Sequence, residues 1–387
     1  MLGRSRYNGG MSQPTHAITS LTLENFRNYR ALSLTLPTAP VVLRGKNGAG
    51  KTNILEALSL LSPGRGLRNA RLREMDALGG GGAPWVVAAR VTTSGETSLI
   101  GTGRDGDATA EKRIIKINGE RIRGHASLSN HVCVQWLTPS MDQVFVEGTA
   151  ARRKFLDRLV YGFVPEHANR VAAYESAMRE RNRLLMDRAL ADPYWLSVLE
   201  QQMAEHAVAI TLARFEFLDR LRHELVEDIA GFPRAELRLE GALETWIESG
   251  NAALEAEQKF AERLMTLRNS DASRGRCGEG PHRSQLIVIQ RKKSMEARDC
   301  STGEQKALLL SIVLAAARAR ASWCQVPPIL LLDEVIAHLD VDKRAALFDL
   351  LLTTRIQAWM TGTDAADFKG LEGFSTSIEI DGGTVRM

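Results

Sequence analysis

One octapeptide, residues 45–52, constrains the fold of this chain more than any other stretch. It reads GKNGAGKT, follows the apolar run VVL and precedes the run NILEAL, which favours a helix. The pattern G-x-x-x-x-G-K-[ST] between a strand and a helix is typical of a phosphate-binding loop, where backbone N–H groups and the helix dipole hold nucleotide phosphates. A glycine-rich turn that happens to precede a helix is the alternative. The motif favours an α/β fold with a nucleotide site.

The loop also predicts which side chains contact the nucleotide. Lys51 would act as a catalytic residue by reaching the β- and γ-phosphates, and Thr52 would ligate Mg²⁺. The other loop residues would surround the phosphates with backbone N–H groups. The candidate ATP-binding residues of the loop are Gly45, Lys46, Asn47, Gly48, Ala49, Gly50, Lys51, Thr52 and Asn53.

A second motif, LLLDEV at 330–335, is an apolar strand that ends in two carboxylates. A buried parallel strand accommodates charge at its carboxyl end, where ligands bind in α/β sheets. Asp333 would hold Mg²⁺ through its water shell, and Glu334 would polarise the attacking water as a general base. A solvated helix cap is the alternative, but the phosphate loop in the same chain favours the catalytic interpretation.

A third motif, CSTGEQKALLL, leads from small polar residues into an apolar helix. Ser301, Thr302 and Gly303 would expose backbone N–H groups at the start of this helix, which creates a second anion site. Because one triphosphate needs one cradle, the second site would serve the nucleotide of another molecule. The alternatives are a plain serine-capped helix with Glu304 at its third position and a Cys300 nucleophile, although no histidine stands nearby in the sequence.

The length and the pattern of apolar residues predict two lobes. A chain of 387 residues is long for a single core. Strand and helix patterns alternate in its outer parts, whereas between 164 and 232 apolar residues recur every three or four positions, as in helices. We expect a disordered leader at 1–16, with Met11 as an alternative start, an ATPase head at 17–160 and 280–387, and a helical insertion lobe at 161–279. The run 269–285, rich in Gly, Ser and Arg, is expected to be a linker.

Several classes of protein are disfavoured by composition. Four widely spaced cysteines without a CxxC pair fit a reducing cytoplasm and give no metal-binding signature. No apolar run reaches the length that crosses a bilayer, and the N-terminal residues lack the apolar segment of a secretory signal. We therefore expect a cytoplasmic protein without a membrane partner.

Basic residues cluster even though the net charge is only +4. The stretch RIIKINGERIR predicts a hairpin with a basic outer face, because Asn-Gly suits a type I′ turn. Such clusters neutralise DNA phosphates without reading the base sequence, and for any one residue a solvated surface is the alternative. The DNA-binding candidates are Arg65, Arg68, Arg71, Arg73, Lys112, Arg113, Lys116, Arg121, Arg123, Arg152 and Arg153.

In their order along the chain, the three motifs and the helical insertion resemble the ABC-type ATPases of chromosome maintenance. Within that group the chain resembles the RecF family, from about Ala17 to near its end. The motifs NFRNY, RRKFLD, RNRLL, GPHR and LLLDEVIAHLD carry this similarity. The resemblance implies an ABC-type P-loop ATPase head that contains a mixed sheet and an antiparallel hairpin lobe. A helical lobe is inserted into this α/β head.

The resemblance also implies an ATP-dependent homodimer that sandwiches two nucleotides. The signature residues Ser301, Thr302, Gly303 and Glu304 of one protomer would complete the site formed by Lys51, Thr52, Asp333 and Glu334 of the other. Arg27 would touch phosphate, Gln135 would join Mg²⁺, and Leu339 and Asp340 would cross the dimer face. A polar strand end without a ligand is the alternative for Gln135.

For function, the resemblance implies recombinational repair, replication restart and the SOS response to DNA damage. The dimer would recognise junctions of duplex and single-stranded gap, would promote RecA loading with RecR and RecO, and would be reset by slow, DNA-stimulated ATP hydrolysis. An ABC transporter subunit, another SMC-like ATPase and a monomeric kinase are the alternatives. The long insertion and basic surface disfavour a transporter, and a kinase has no use for CSTGEQK. The helical lobe is too short for a long-armed chromosome condensation protein.

Overall fold

The computed structural model describes residues 14–77, 82–106, 112–124, 126–187, 192–226 and 231–386. Most of the expected leader, 1–13, lies outside these residues, and the first strand begins at His16. The described strands are β1 (His16–Phe26), β2 (Tyr29–Thr35), β3 (Val41–Arg44), β4 (Val86–Thr93), β5 (Glu96–Arg104), β6 (Arg113–Ile117), β7 (Glu120–Ile122), β8 (Val134–Leu137), β9 (Ala235–Glu240), β10 (Gln285–Gln290), β11 (Met295–Glu296), β12 (Ile329–Leu332), β13 (Ala358–Gly362), β14 (Thr376–Asp381) and β15 (Thr384–Arg386). The described α-helices are α1 (Lys51–Ser59), α2 (Thr149–Tyr161), α3 (His167–Met186), α4 (Pro193–Val226), α5 (Ala242–Glu248), α6 (Ala253–Thr266), α7 (Arg268–Arg274), α8 (Thr302–Cys324) and α9 (Val341–Thr353).

The chain divides into two compact units. The first comprises Met1–Met141, Glu227–Phe232 and Leu309–Met387, and the second comprises Asp142–Val226 and Pro233–Leu308. The second unit therefore extends beyond the expected insertion, 161–279, at both ends. The reason is packing within that unit, because α2 contacts α3 and α4 and because β10 pairs with β9.

The first unit contains a sheet whose strand order places the ligand-binding motifs together. The order is β15-β14-β3-β13-β12-β8, and the pairs from β14 to β8 are parallel. All four residues of β12 are buried, as expected of a parallel strand covered on both faces. The carboxyl ends of β3, β13 and β12 meet at one edge, where ligands of such sheets bind.

A second, antiparallel sheet in the first unit has the order β2-β1-β4-β5-β6-β7. Its last hairpin turns at Asn118 and Gly119, with φ angles of 50° and 88°, so the prediction of a turn with two positive φ angles is confirmed. Gln357 connects this sheet to the parallel one. Its Oε1 accepts from the Ile18 N–H at 2.8 Å, and its Nε2 donates to the Ile18 carbonyl at 3.1 Å.

The second unit combines helices with a three-stranded sheet. Side chains of α3, α4 and α6, among them Tyr174, Met203 and Phe260, form its buried core. The sheet order is β11-β10-β9. The prediction of a linker at 269–285 is wrong for its first residues, because they belong to α7. They are held because the buried Asp271 accepts from Arg181 Nη1 at 2.7 Å and from the Gly278 N–H at 3.0 Å.

Helix α8 is the one described helix that is long and apolar enough to cross a membrane by length and composition alone. Inside the protein, 67% of its apolar window is buried. That burial is the pattern of a core helix.

Candidate functional site

The phosphate loop follows β3 and packs closely against its neighbours. The φ angles of Gly45 and Gly50 are +149° and +115°, a region that favours glycine. A Cβ on Gly45 would lie 2.2 Å from the Ile380 carbonyl oxygen, and one on Gly50 would lie 2.4 Å from Asn28 Nδ2. The Tyr29 hydroxyl donates to the Gly50 carbonyl at 3.1 Å. The NFRNY motif therefore supports the loop backbone.

Lys51 is the first residue of α1 and is almost fully buried. Its Nζ donates to the carbonyls of Gly45 at 2.7 Å and Lys46 at 2.9 Å. Burial lowers the pKa of Lys51, and the nearby carboxylates of Glu334 and Asp333 oppose this shift. The ammonium group thus lies beside the positive end of α1, where both favour an anion.

Asp333 follows β12 and connects the loop to the neighbouring strands. Its Oδ1 accepts from Thr52 Oγ1 at 3.0 Å and from Thr361 Oγ1 at 2.8 Å. Burial and the neighbouring Glu334 raise the pKa of Asp333, whereas the hydrogen bonds from Thr361 and Thr52 lower it. Two of the three predicted Mg²⁺ ligands, Thr52 and Asp333, therefore lie within hydrogen-bonding distance of each other. Hydroxyl and carboxylate oxygens are hard donors that suit Mg²⁺.

Glu334 has a different environment from the adjacent Asp333. Its side chain is exposed, its φ angle is +55°, and its N–H donates to Thr361 Oγ1 at 2.8 Å. A left-handed conformation costs a non-glycine residue roughly 1–2 kcal/mol, which the surrounding bonds must offset. The Asp333 carboxylate is thus buried and hydrogen-bonded, whereas the Glu334 carboxylate is exposed to solvent. These environments suit a metal ligand and a general base, respectively.

Thr361 is the functional residue that the sequence did not predict. It is the penultimate residue of the buried strand β13, which lies between β3 and β12. It donates to Asp333 and accepts from the N–H of Glu334. The available signal was a hydroxyl near the carboxyl end of an apolar strand. It points to the site only once the strand order places β13 next to β12.

Gln135 does not lie beside the predicted Mg²⁺ ligands. It pairs with Leu330 in the parallel register, three residues before Asp333, which is about 10 Å along the strand. It is 1% exposed, and its amide atoms have no hydrogen-bond partner among the described residues. Leu137, at the end of β8, is the residue whose carbonyl accepts from the Asp333 N–H at 2.9 Å. The register therefore gives no support to a link between Gln135 and Mg²⁺, which stays a prediction.

Arg27 is engaged with α1. Its Nε and Nη2 donate to the two carboxylate oxygens of Glu56 at 2.9 and 2.7 Å. Glu56 is fully buried and also accepts from Arg68 Nη1 at 2.6 Å. The expected contact between Arg27 and a phosphate would require this ion pair to open, so the side chain is placed to hold the helix of the loop.

The signature residues lie at the start of α8, in the second unit. Ser301 is exposed and precedes the helix, and its Oγ and N–H donate to Glu304 Oε2 at 2.9 and 3.1 Å. The Glu304 N–H donates back to Ser301 Oγ at 3.4 Å, so the two residues form a reciprocal helix cap of the kind expected. Cys300 is buried, and burial raises the pKa of its thiol, which disfavours the nucleophile alternative. Thr302 and Gly303 are exposed beside Ser301.

The two dimer-face candidates lie between β12 and α9. Leu339 is half-buried, and Asp340 caps α9 by accepting from the Lys343 N–H at 2.8 Å. Their role at a dimer face stays a prediction.

Three of the eleven DNA candidates have guanidinium groups that face inward. Arg113 donates to Thr102 Oγ1 at 2.7 Å, to the Gly64 carbonyl at 2.6 Å and to the Leu60 carbonyl. Burial lowers the pKa of Arg113 to about 10. The other two donate to carbonyls of the second unit: Arg152 to Leu286 and Phe145 at 3.0 and 2.9 Å, and Arg153 to Ser284 at 3.2 Å.

The other eight DNA candidates have exposed side chains in the first unit. Two of them are also in ion pairs, Arg68 with the buried Glu56 at 2.6 Å and Arg121 with Asp105 at 3.5 Å. The exposed set comprises Arg65, Arg68, Arg71, Arg73, Lys112, Lys116, Arg121 and Arg123.

The motifs RRKFLD and RNRLL supply buried ion pairs of the second unit. Asp157 accepts from Arg214 at 2.8 and 2.9 Å and contacts His167 at 2.8 Å. Burial opposes ionisation of Asp157, but Arg214 and His167 together hold the pKa below its usual range. Arg181 donates to Glu200 at 2.9 Å as well as to Asp271. These motif residues stabilise the fold of the unit.

Comparisons with known proteins show the family of this chain. A family model described as the RecF/RecN/SMC N terminal domain matches residues 17–374. The chain is 46% identical to the DNA replication and repair protein RecF of Mesorhizobium japonicum over 378 residues, 97% of this chain and 98% of the relative. It is 44% identical to the protein of the same name in Agrobacterium fabrum, over 92% of this chain and 94% of that relative.

Solved structures show the fold. One described as the recombination mediator protein RecF-ATPrS in the RecFOR pathway has a TM-score of 0.83 at 22% identity, over 97% of this chain and 99% of that chain. An Smc head bound to the C-winged helix domain of ScpA has a TM-score of 0.54 at 14% identity, over 96% and 97%. The expected fold class, an ABC-type ATPase head, is confirmed.

Proposed function

The chain belongs to the RecF family of ABC-type, SMC-like ATPases, and on that premise we propose that it is an ATP-switched DNA-binding protein of recombinational repair and replication restart. The observation that carries the proposal is the meeting of Lys51, Thr52, Asp333 and Glu334 at one edge of the parallel sheet. Binding of ATP would drive formation of a dimer, and slow hydrolysis would release it.

The hydrolysis step follows from the separate environments of the two carboxylates. Thr52 and Asp333 would hold Mg²⁺, which neutralises charge on the β- and γ-phosphates when bound. Glu334 would take a proton from the attacking water, whose oxygen forms a bond to the γ-phosphorus while the bond to the ADP oxygen breaks. Lys51 would stabilise the charge that develops on the phosphate oxygens.

The dimer follows from the second anion site. Thr302 and Gly303 begin a long helix and are exposed, so their N–H groups would meet a phosphate, and Ser301, which precedes the helix, would turn its donors from Glu304 to the same phosphate. A γ-phosphate bound at the loop of one protomer would be covered by these residues of its partner. Each nucleotide would thus join two subunits, and Leu339 and Asp340 would lie at the same face.

The DNA surface is supported by the contacts of Arg113. By bonding Leu60 and Gly64, it connects the basic hairpin to the segment that contains Arg65. We propose that the exposed basic residues of both segments neutralise DNA phosphates without base readout. We infer that the surface binds duplex beside a single-stranded gap in the cytoplasm, where RecR and RecO would join it in loading RecA.

Light scattering tests the dimer. Glu334→Gln should form a stable dimer with ATP because nucleotide binding is retained while the base is lost, and Ser301→Arg should stay monomeric because the added side chain blocks the phosphate. Ser273→Arg, at an exposed serine of α7, is the matched control and should dimerise normally in the Glu334→Gln background. A monomeric Glu334→Gln protein at saturating ATP, or normal dimerisation of Ser301→Arg, would overturn the sandwich.

A further inference from the structure

The turn between β10 and β11 places a lysine on the signature residues. Lys293 Nζ lies 2.5 Å from Glu304 Oε1, with the two side chains 50% and 28% exposed. The other carboxylate oxygen of Glu304 accepts from the N–H and hydroxyl of Ser301. The carboxylate is therefore fixed between Ser301 on one side and Lys293 on the other.

This arrangement bears on how an anion reaches the start of α8. Lys293 and the two hydrogen bonds from Ser301 hold the pKa of Glu304 at about 2, so the carboxylate is charged at neutral pH. A fixed negative charge next to Ser301 repels an approaching triphosphate, and a cation at 2.5 Å cancels most of that repulsion.

We propose that Lys293 is a positioning residue of the shared ATP site, which neutralises Glu304 so that the start of α8 accepts the γ-phosphate held by the partner subunit. The inference rests on the proposed function. It explains how a signature that contains a carboxylate can serve as an anion site.

Other charges near the signature have their own partners. Arg298 pairs with Glu296 at 2.9 Å and with Asp299 at 3.8 Å, and Lys306 pairs with Asp142 at 2.8 Å. Among the residues that the structure describes, Lys293 is the cation that pairs with Glu304. The neighbouring Lys292 is exposed, and over the same described residues no ion pair engages it, so it provides a matched control.

The experiment measures ATP-dependent dimerisation by light scattering in the Glu334→Gln background. Lys293→Met should raise the ATP concentration for half-maximal dimer by about three- to tenfold, as expected for an exposed charge close to a phosphate, and higher salt should shrink the difference. Lys292→Met should match the parent protein. Thermal unfolding of both variants should also match the parent, since an exposed ion pair contributes little to stability.

A double-mutant cycle separates charge neutralisation from any other role. Once Glu304→Gln has removed the carboxylate, Lys293→Met should cause no further loss. An equal loss in both backgrounds, or equal effects of Lys292→Met and Lys293→Met, would overturn the inference. The dimer itself is tested independently: failure of the Glu334→Gln parent to dimerise would overturn the proposed function, whereas a dimer indifferent to Lys293 would overturn this inference alone.

Discussion

Asp333 and Glu334 differ in solvent exposure although they are adjacent in the chain. Asp333 is buried against Thr52 and Thr361, and Glu334 turns outward through its left-handed backbone. Ionised Asp333 is therefore held at a cost that bound Mg²⁺ would relieve, since a divalent cation compensates a buried carboxylate.

Replacing Asp333 should separate stability from activity. Asp333→Asn replaces the carboxylate by an amide. The amide oxygen can still accept from both threonines, and the buried charge is removed. Because burial raises the pKa of Asp333 in the folded state, the ionised group destabilises the fold above that pKa. The nucleotide-free variant should melt a few degrees higher than the parent at neutral pH, and ATP hydrolysis should be lost.

The pH dependence provides the check. The advantage of Asp333→Asn should be full above the raised pKa, should decline as the pH falls through it, and should vanish below the ordinary aspartate value of about 4. Melting curves with and without Mg-ATP measure both effects, and only the parent should gain stability from the ligand. Asp219→Asn, at an exposed position of α4, is the control and should behave as the parent. A variant that melts lower than the parent at neutral pH would contradict the assignment.

The candidate-site residues that could be predicted are those fixed by local spacing. Lys51 and Thr52 are adjacent in one motif, and Asp333 and Glu334 end one strand, so their roles follow from neighbours in sequence. Thr361 and Glu56 could not be assigned, because their partners lie 28 residues away in one case and 29 in the other. Arg113 faces inward, and the signal for this was its place in the alternating strand, on the same face as the buried Ile115 and Ile117.

At the scale of elements, the basic hairpin is attached to the segment after α1 through Arg113. Arg113→Met keeps the aliphatic stem but leaves the Leu60 and Gly64 carbonyls without this donor. Because Leu60 is buried and an unpaired buried carbonyl is costly, the free energy of unfolding should fall by about 1–3 kcal/mol. Urea denaturation measures this change.

Lys116→Met is the matched control for Arg113→Met. Lys116 lies on the same strand, β6, and is exposed. Its replacement should change the free energy of unfolding by less than about 0.5 kcal/mol. Equal destabilisation by the two variants would show that the contacts of Arg113 with the segment after α1 do not stabilise the unit.

The same scale separates the elements that periodicity predicts from those it misses. The strands around the phosphate loop, the hairpin at Asn118 and the helices α3 and α4 follow from local patterns. Helix α7 was missed because its polar sequence resembles a linker, and it is held by the distant Arg181. Strand β9 was missed because it lies within a helical region and because its partner, β10, is distant in the sequence. Glu240 of β9 pairs with Gln285 of β10, 45 residues later.

At the scale of the whole molecule, the charge distribution predicts how DNA binding responds to salt. Replacing Arg65, Lys116 and Arg123 together by glutamine should lower the slope of log affinity against log salt by about 2 to 3, as loss of three phosphate contacts requires. Fluorescence anisotropy of a gapped duplex measures the slope. The control replaces Lys154, Arg276 and Lys292, which are exposed in the second unit. An equal fall of the slope in both triple variants would show that net charge, and not contact by these residues, sets the salt dependence.

Strand β13 has a consequence for how the protein is made. It lies between β3 and β12, and of the described strands it is the one that pairs with both. Its residues, 358–362, leave the ribosome long after the loop at 45–52 and shortly after the two carboxylates. A nascent polypeptide therefore holds the parts of the nucleotide pocket without the strand that aligns them. Prematurely terminated products are thereby kept out of the proposed ATP-dependent dimer, which admits only nearly complete chains.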